Sequence, residues 1–397
     1  MNTSLKRALG FWQLVFYGTG TILGAGIYVL IGEIVGSSGK LSALAFIVAG
    51  IIVAFSAYSF ALLSKRFPSS AGPAAYVQSA FGYSWLSTLT GYSIVFMGIT
   101  SAATIAQGFF GYFSHFINSP QWLVSSIFVA VLTWVAIRGV GFSVGVAVVA
   151  TLIEIAGLII VIVSARNNLG TVVENPGDFF LPLSFTEWSG IGLGAYLAFY
   201  ACIGFEDMVS IAEELKEPEK NMVRGIATVL VVTTLLYVLV ALAAITSVPL
   251  DELANSEAPL ALVMERNGLI SVAAIGIISA IAVTNGALIQ IIMGSRVLYG
   301  MASRNLAHPS LASVHPVSRI PKTATLLVGA LVLVFTLLPL ATLAKTTSTI
   351  VLSVFALVNL SLLTLSLKAA DKPFLPIVLS TIAALLCIAF MIIQLVL

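Results

Sequence analysis

Three features of the sequence predict an all-helical integral membrane protein. They are its composition, a series of long apolar segments, and two interrupted segments that stand five positions apart in that series. Hydrophobic residues make up 59% of the 397 residues, charged residues 9%, and the mean hydropathy is +1.09. A soluble chain of this length needs far more charge to cover its surface. Most of the chain is therefore expected to lie in the bilayer.

Eleven apolar segments are long enough to cross a bilayer, which takes about 20 residues. They fall at 10–35, 41–64, 84–114, 121–138, 142–165, 188–212, 225–248, 268–295, 323–343, 346–367 and 374–396. Segment 84–114 is longer than a span requires and is expected to be tilted. The link at 65–83 is expected to hold a short cytoplasmic helix or re-entrant piece, and a short amphipathic segment is expected after Pro259.

The positive residues orient the chain. With the N-terminus in the cytoplasm, fourteen of the eighteen Lys and Arg residues lie on the inner side, as positive residues do in membrane proteins. Eleven spans then place the C-terminus outside. The predicted location is the cytoplasmic membrane.

The first apolar segment contains four glycines within nine residues, Gly18, Gly20, Gly24 and Gly26. Glycine leaves a helix at little steric cost, and backbone freed in hydrocarbon must face protein or a polar cavity. We expect the first helix to be discontinuous here and to form part of a binding site. The alternative is close helix packing through small residues four apart, such as Gly20 and Gly24.

The sixth apolar segment carries a second interruption, Tyr200-Ala201-Cys202-Ile203-Gly204-Phe205-Glu206-Asp207, in which two carboxylates arrive before the segment ends. Breaks in the first and sixth segments are typical of an inverted repeat, whose broken helices meet at the bilayer midplane around the substrate. The predicted repeats are residues 8–166 and 188–367, and residues 373–397 add one C-terminal helix.

Four short motifs stand out in and beside these segments. Along the chain they are Ile22-Leu23-Gly24-Ala25-Gly26-Ile27, Phe67-Pro68 with Gly72 and Tyr76, Tyr200 to Glu206 continuing into Ala212 to Ile226, and Ser295 to Ala302. In this order they resemble the motifs of the amino acid–polyamine–organocation (APC) superfamily over essentially the whole chain. The resemblance implies a LeuT-type fold of 5+5 inverted repeats, amino acid transport, and a gating aromatic at Tyr200. The family usually has twelve or more spans, whereas eleven are predicted here.

The chemistry of the two breaks suits a molecule that carries a carboxylate and an amine on one carbon. Free N–H groups at a helix N-terminus bind anions, and free carbonyls at a negative helix end suit an ammonium group. The residues predicted to hold the substrate carboxylate are Thr21, Ile22, Gly24, Ala25 and Gly26. Those predicted to hold the amine and form the gate are Phe199, Tyr200, Ala201, Ile203 and Gly204.

The predicted side-chain pocket is modest and apolar. Ile289 and Asn285 of the eighth segment are assigned to it, beside Ala25 and Ile203. Only Glu206 is placed to pair with a cationic substrate tail, which favours a neutral amino acid. For Asn285 the alternative is an interhelical hydrogen bond.

Glu154 is unusual because it lies within the fifth segment, with no other charge between Arg138 and Arg166. An ionised carboxylate in hydrocarbon is costly, so Glu154 is either protonated or paired. Proteins that this chain resembles have a lysine here, whose ammonium stands in for a sodium ion. The opposite sign leaves a proton on Glu154 or a cation bound beside it. The alternative is a protonated glutamate that makes one interhelical bond and has no transport role.

Glu206 follows the second break, where antiporters that resemble this chain carry a glutamate tied to proton-linked gating. The alternative is a carboxylate that lines a water-filled vestibule and structures the broken helix. Glu154 and Glu206 are the two predicted proton-coupling residues. The charged residues at 213–224 are expected to form a solvated surface, and a closed-state ion-pair gate joined by Arg296 is the secondary interpretation.

Several classes of site are not predicted. The net charge is +2 and no basic stripe exists, so no nucleic acid is expected. Cys202 and Cys387 lie in apolar segments and imply no disulfide framework. The three histidines lie in loops at unrelated spacings, so no metal site is expected.

These observations predict a secondary active transporter that moves small neutral amino acids by alternating access. Coupling to protons is expected, without a cofactor, and the sequence does not indicate sodium. An amino acid or polyamine exchanger remains an alternative, as does a channel or receptor, which would need a continuous polar pore face or a soluble domain. An enzyme is not predicted, because no catalytic cluster lies in the spans.

The expected partners are the amino acid substrate and the lipid bilayer. Light subunits of the family join a partner chain through a cysteine between the third and fourth spans. Residues 115–121 contain no cysteine. We therefore expect no disulfide-linked heavy chain, and a monomer or weak homo-oligomer.

Overall fold

The computed structural model describes residues 5–114, 119–256, 258–268, 272–316, 318–338 and 340–396. These residues are largely helical, and the described part of the chain contains no β-strand beyond one parallel bridge between Leu9 and Leu215. The all-helical prediction is confirmed. Residues 115–118, part of the link on which the expectation about a heavy chain rests, lie outside the described residues.

The α-helices follow the predicted segments along the chain. In order they are α1 (Phe11–Ser38), α2 (Ser42–Arg66), α3 (Pro73–Phe81), α4 (Ser84–Ser114), α5 (Gln121–Ala136), α6 (Val140–Ser164), α7 (Gly170–Glu174), α8 (Gly177–Phe180), α9 (Phe185–Ala201), α10 (Pro218–Ser247), α11 (Leu250–Ala254), α12 (Pro259–Asn267), α13 (Val272–Ala302), α14 (Lys322–Phe335), α15 (Leu340–Lys368) and α16 (Phe374–Val396). The 3₁₀ helices are Gly39–Leu41, Phe205–Glu214 and Pro309–Ala312. The short helices expected in the 65–83 link and after Pro259 are α3 and α12.

Eight helical stretches of the described residues are long and apolar enough to cross a membrane, by length and composition alone. They are Leu30–Arg66, Ser84–Phe110, Gly141–Ser164, Phe185–Glu214, Pro218–Ser247, Gly276–Ala302, Thr346–Lys368 and Phe374–Ile392. The first takes in the end of α1 together with α2, while α5 and α14 are apolar but shorter. The chain is a multi-pass membrane protein. The sidedness of its termini stays a prediction.

Large apolar side chains cover the outer faces of the bundle. Val231 of α10, Ile277 of α13 and Leu385 of α16 each expose more than half of their surface. In water such surface would cost roughly 25 cal/mol per Å², and patches of this kind mark membrane contact. The outer faces of these helices therefore fit the hydrocarbon of a bilayer.

The expected break in α1 is absent, because this helix runs without interruption over Phe11–Ser38. The prediction of a discontinuous first helix is therefore wrong. The segment contains no proline, and its glycines permit close packing. A Cβ atom on Gly20 would collide with Thr151 of α6 and Asn285 of α13, and one on Gly26 would lie 3.0 Å from the backbone of α9. Helix packing, the alternative that the spacing raised, accounts for these glycines.

The expected break in the sixth segment is present. Helix α9 ends at Ala201, and the chain resumes as a 3₁₀ helix at Phe205. Between them Gly204 has φ +134°, a region that side chains avoid. A Cβ atom there would lie 2.9–3.1 Å from Thr21 and Ile22 of α1. Glycine at 204 thus permits both the turn and the close approach to α1.

Helix α1 is the central element around this break. It packs against α6, α9, α10 and α13, while α4 packs against both α13 and α15. The break in α9 is therefore surrounded by long helices on several sides. Its freed backbone faces protein, as the interior of a bilayer requires.

We predict that Gly204→Ala destabilises the fold. The positive φ alone costs a side chain about 1–3 kcal/mol, and the new methyl group must also displace the α1 backbone. The matched control is Gly192→Ala on α9, where a Cβ meets no atom within 4 Å and alanine is the better helix former by about 1 kcal/mol. Thermal unfolding of both variants in detergent should show a lower midpoint for Gly204→Ala only. Equal midpoints would contradict the account of this break.

Candidate binding site

A cavity of about 290 Å³ lies beside the break in α9. Helices α1, α4, α13 and α15 border it, together with the 3₁₀ helix that follows the break. The residues that line it are Thr21, Ile22, Gly26, Met97, Ser101, Thr104, Ile105, Tyr200, Ala201, Ile203, Gly204, Glu206, Gly286, Gln290, Thr347, Ser348 and Val351. Small-molecule sites usually measure about 300–1,000 Å³, so this cavity suits a small ligand.

Three of the residues predicted to hold a carboxylate line the cavity, namely Thr21, Ile22 and Gly26. Gly24 and Ala25 belong to the same continuous helix. Amide groups inside a helix donate to the carbonyls four residues earlier, so the free N–H donors expected from a broken α1 are missing in this conformation. The assignment of these five residues to a carboxylate stays a prediction, and its argument from a helix end is lost.

Hydroxyl groups of α4 and α15 supply polar atoms that the sequence analysis did not single out. They belong to Ser101, Thr104, Thr347 and Ser348. The Thr347 hydroxyl lies 2.7 Å from that of Thr100, and Thr104 donates to the Thr100 carbonyl at 2.8 Å. Polar residues at helical spacing along one face of α4 are the sequence signal that could have revealed this side of the cavity.

Four of the five residues predicted for the amine and gate line the cavity. They are Tyr200, Ala201, Ile203 and Gly204. Phe199 does not, because successive residues of a helix point in different directions. Its ring is buried, with its centroid 4.9 Å from that of Phe390 and 6.4 Å from that of Phe355. The structure does not bring Phe199 to the cavity, and its assignment to the gate stays a prediction.

The two residues assigned to the side-chain pocket do not line the cavity either, and their assignment stays a prediction. Ile289 is fully buried, and it is not among the residues that line the cavity. Asn285 donates from Nδ2 to Thr151 and Glu154 of α6, which is the interhelical alternative. The face of α13 that meets the cavity carries Gly286 and Gln290 instead. These two residues are four apart and therefore share a helix face.

Tyr237 of α10 is a structural residue of the site that the sequence analysis missed. Its side chain is fully buried, and its hydroxyl lies 2.6 Å from the Ile22 carbonyl oxygen and 3.0 Å from that of Ala201. One hydroxyl proton is thus shared between α1 and the last residue of α9. A carbonyl without a partner is costly inside a bilayer. Tyr237 therefore ties together the two segments that border the cavity.

Glu154 lies away from the cavity, buried between α1, α6 and α13. Asn285 donates from Nδ2 to its Oε1 at 2.9 Å, and the Tyr28 hydroxyl lies 3.5 Å from its backbone carbonyl. Its Oε2 and the Oδ1 of Asn285 are both buried without a hydrogen-bond partner. Two acceptor oxygens without a donor can be satisfied by a proton or a bound cation.

Glu206 lines the cavity and also holds the shape of the break. The Gly204 N–H donates to its Oε2 at 2.8 Å, so the carboxylate folds back on the turn. Among the described residues that line the cavity, it has the one charged side chain. Both interpretations raised for Glu206 fit this position: a gating carboxylate and a residue that structures the broken helix.

A buried ion pair lies at the far end of the 3₁₀ helix. Arg296 of α13 contacts both oxygens of the Glu214 carboxylate at 3.3 Å, and neither side chain is exposed. Next to it, the Leu9 N–H donates to the Glu214 carbonyl at 3.0 Å, and the Lys216 N–H donates to the Leu9 carbonyl at 2.9 Å. The segment before α1 is thus tied to the end of the broken helix. The pair is present where the secondary interpretation placed it, and its role as a gate stays a prediction.

A larger apolar groove of about 900 Å³ lies elsewhere, between α4, α5, α6 and α13. Several of its lining side chains are exposed on the outer face of the bundle, among them Phe142, Val149 and Ile277. It offers a ligand little polar surface. We regard it as part of the lipid-facing surface and the smaller cavity as the candidate site.

Comparison with known proteins gives the following matches. The family model described as amino acid permease matches residues 13–396. The branched-chain amino acid permease BcaP of Bacillus subtilis is 29% identical over 395 residues, covering 93% of this chain and 83% of that protein. The methylthioribose transporter of the same organism is 27% identical over 418 residues, covering 98% and 89%.

A solved structure gives an independent view of the fold. A sodium-coupled sialic acid symporter in a substrate-bound, outward-open state aligns with a TM-score of 0.66 at 14% identity, covering 98% of this chain and 90% of that one. At this identity the likeness speaks for the fold alone. The fold is that of the LeuT-type transporters, as predicted. The bounds of the two repeats stay a prediction.

We predict that Tyr237→Phe loosens the contact between α1 and the break in α9. The variant keeps the ring packed against Phe46 but removes the hydrogen bonds from the hydroxyl to the carbonyl oxygens of Ile22 and Ala201, at a cost of about 1 kcal/mol. The control is Tyr83→Phe, since Tyr83 is 60% exposed. Thermal unfolding in detergent should show a lower midpoint for Tyr237→Phe than for the control. An unchanged midpoint would mean that these carbonyls do not need the hydroxyl.

Proposed function

The chain belongs to the amino acid permease family, and from that premise we propose that it carries small neutral amino acids across the cytoplasmic membrane by alternating access, coupled to protons. Its family and its relatives are transporters, so the protein is an amino acid transporter and not an enzyme. The substrate size, the coupling ion and the direction of flux belong to the proposal.

The observation that carries the proposal is the cavity at the break in α9. Its volume of about 290 Å³ suits a small molecule better than a long polyamine. Its walls combine the backbone of two segments, hydroxyl groups from α4 and α15, and one carboxylate. A zwitterion needs such a mixed surface, because each of its charged ends must exchange water for protein partners.

The charge of the cavity favours a neutral amino acid over a cationic one. Glu206 lies next to the break, where it supports an α-ammonium group of the substrate, and the described lining offers no second carboxylate for a cationic tail. The substrate carboxylate then faces the hydroxyl groups of Ser101 and Ser348 and the surface of α1 at Thr21. Met97, Ile105 and Val351 provide apolar surface for a small side chain.

Transport requires that the closed end of the molecule opens. The pair between Arg296 and Glu214 and the backbone bridge at Leu9 hold the 3₁₀ helix against α13 and the segment before α1. Breaking these contacts would free the 3₁₀ helix, which is joined to α9 by the turn at Gly204. Alternating access then consists of making and breaking this closure while the cavity stays between the same helices.

Glu154 is the proposed coupling residue in the first half of the chain. It touches α1 and α13, the two helices that also border the cavity, through Tyr28 and Asn285. A proton on its unpartnered oxygen would supply the donor that Asn285 Oδ1 lacks. Binding and release of that proton would change how α6 holds α13.

The proposal is tested by uptake into proteoliposomes that contain the purified protein. The panel consists of radiolabelled alanine, serine, leucine, phenylalanine, arginine and putrescine, each with and without a pH gradient or a sodium gradient. We expect a small neutral amino acid to accumulate when the pH gradient is imposed. Uptake of arginine or putrescine alone would overturn the substrate class, and no uptake under any condition would overturn the proposed transport.

We predict that Ser101→Leu blocks this uptake, because the larger side chain fills the cavity. The matched control is Gly108→Leu on the same helix, where a Cβ meets no atom within 4 Å. Substrate binding to both purified variants is measured by isothermal titration calorimetry, with thermal unfolding as the check on folding. Wild-type affinity in Ser101→Leu would place the substrate elsewhere.

We predict that Glu154→Gln abolishes accumulation driven by a pH gradient but retains exchange of labelled for unlabelled substrate. Glutamine keeps the size and the hydrogen bond to Asn285 and cannot release a proton. Glu174→Gln on α7, where the carboxylate is exposed, serves as the control. Both fluxes are measured in the same vesicle preparation. Gradient-driven accumulation that survives Glu154→Gln would remove the proton-carrying role.

A further inference from the structure

Asp207 is a second buried carboxyl group beside the cavity. Its side chain has no exposed surface, and Gln290 of α13 donates from Nε2 to its Oδ2 at 2.8 Å. Gln290 itself lines the cavity. One side chain therefore separates Asp207 from the space assigned to the substrate.

Two oxygen atoms in the pair of Asp207 and Gln290 have no hydrogen-bond partner. Its Oδ1 and the Oε1 of Gln290 are both buried without a hydrogen-bond partner. Both atoms are acceptors while Asp207 is ionised. The amide and carboxyl groups are planar and already joined by one bond, so a proton on Oδ1 can return a second bond to the amide oxygen. A single proton would satisfy both orphaned atoms.

The balance of buried charges around the 3₁₀ helix Phe205–Glu214 also favours one bound proton. The 3₁₀ helix carries three buried carboxyl groups, Glu206, Asp207 and Glu214, and α13 supplies the guanidinium of Arg296. Arg296 is paired with Glu214. Glu206 and Asp207 are then two adjacent buried carboxyl groups that form no ion pair with a cation of the described residues, and such a pair does not ionise fully. Each of the two carboxyl groups accepts one N–H donor, Glu206 from Gly204 and Asp207 from Gln290. Only Asp207 also has a buried acceptor without a partner beside it, the Oε1 of Gln290, that a proton can satisfy, so we place the proton on Asp207.

The other groups around Asp207 do not replace this proton. The Tyr17 hydroxyl of α1 lies near Asp207, Glu214 and Arg296, and the side chain that hydrogen-bonds with it is Ser210. Helices α4 and α15 contribute apolar side chains to the small space of about 10 Å³ beside the two carboxyl groups, including Ile94, Met97 and Phe355. That space is at the lower limit for one water molecule.

We propose that Asp207 and Gln290 form a proton-binding site in which the proton sits on Asp207 at neutral pH and is coupled to the occupancy of the neighbouring cavity. The proton comes from water and converts the carboxylate into a neutral carboxylic acid. The site matches the pair of Glu154 and Asn285, where an α13 amide also faces a buried carboxyl group and each partner has one orphaned oxygen. The role of this site in transport rests on the proposed function. The presence of a proton on Asp207 does not depend on that function.

The sequence allows a selective test, because it contains four aspartates: Asp178, Asp207, Asp251 and Asp371. The structure describes all four, and only Asp207 is buried. Among the four labelled side chains, a band from a buried carboxyl group can therefore come from Asp207 alone. We would produce the wild-type protein by cell-free synthesis with aspartate that carries carbon-13 in its side-chain carboxyl group. Infrared difference spectra of the protein in lipid nanodiscs are then recorded between neutral and alkaline pH.

The expected result is one protonated-carboxyl band at neutral pH that shifts with the label. It should be lost in Asp207→Asn and retained in the surface control Glu219→Gln. A labelled spectrum without a protonated band at neutral pH overturns the proposal, and so does a band that survives Asp207→Asn. If Asp207→Asn does not fold, the wild-type isotope shift decides the question by itself.

Coupling to the cavity is tested with the amino acid found by the uptake panel. Its addition should change the position or intensity of the labelled band in the wild type, and Gln290→Met, which keeps the length but removes the amide, should remove this response. A band that does not respond in the wild type overturns the coupling. A wild-type protein that shows the band but transports no amino acid refutes the proposed function and leaves the proton site standing.

Discussion

The backbone of this protein leaves its helix at residues 201–204 in the interior of a bundle, and the polar groups freed there must be satisfied without water. Tyr237 meets part of this requirement by sharing one hydroxyl between the Ala201 and Ile22 carbonyls. Glu206 meets another part by accepting the Gly204 N–H. The cavity exists because this break is held open against α1. The contacts of Tyr237 and Glu206 therefore set the position of the break, and the other residues that line the cavity surround it.

The break fits into a packed bundle because glycines allow the backbones of neighbouring segments to approach closely. Gly204 brings the turn against the α1 backbone, and Gly26 brings α1 against the end of α9. Gly20 does the same between α1 and the polar residues of α6 and α13. Small residues allow helices in a membrane to gain dispersion and hydrogen-bond energy where no hydrophobic effect drives them together. Gly20 and Gly26 are thus contact points in a continuous helix.

Helix α13 connects the buried acids of the molecule. Asn285 faces Glu154, Gln290 faces Asp207, and Arg296 faces Glu214. These positions lie five and six residues apart, so they turn toward different neighbours along the length of one helix. An amide can satisfy either protonation state of a carboxyl group, because it offers both donors and an acceptor. A guanidinium holds only the ionised form. This difference separates the two acids to which we assign a proton, Glu154 and Asp207, from Glu214, which we assign to the closure.

The sequence by itself determined the class of the protein, the order of its helices and the location of the second break. These follow from local properties: apolar runs of bilayer length, a glycine beside two carboxylates, and motifs shared with a family. The state of α1 and the composition of the cavity wall were decided only by tertiary structure. A run of glycines permits a break or a close contact equally well, and the neighbours of Gly20 and Gly26 lie more than a hundred residues away in the chain. In the same way, Phe199, Ile289 and Asn285 are adjacent in sequence to residues that line the cavity, but the rotation of each helix against its neighbours turned them elsewhere. That rotation depends on the packing of whole helix faces, which no single segment specifies.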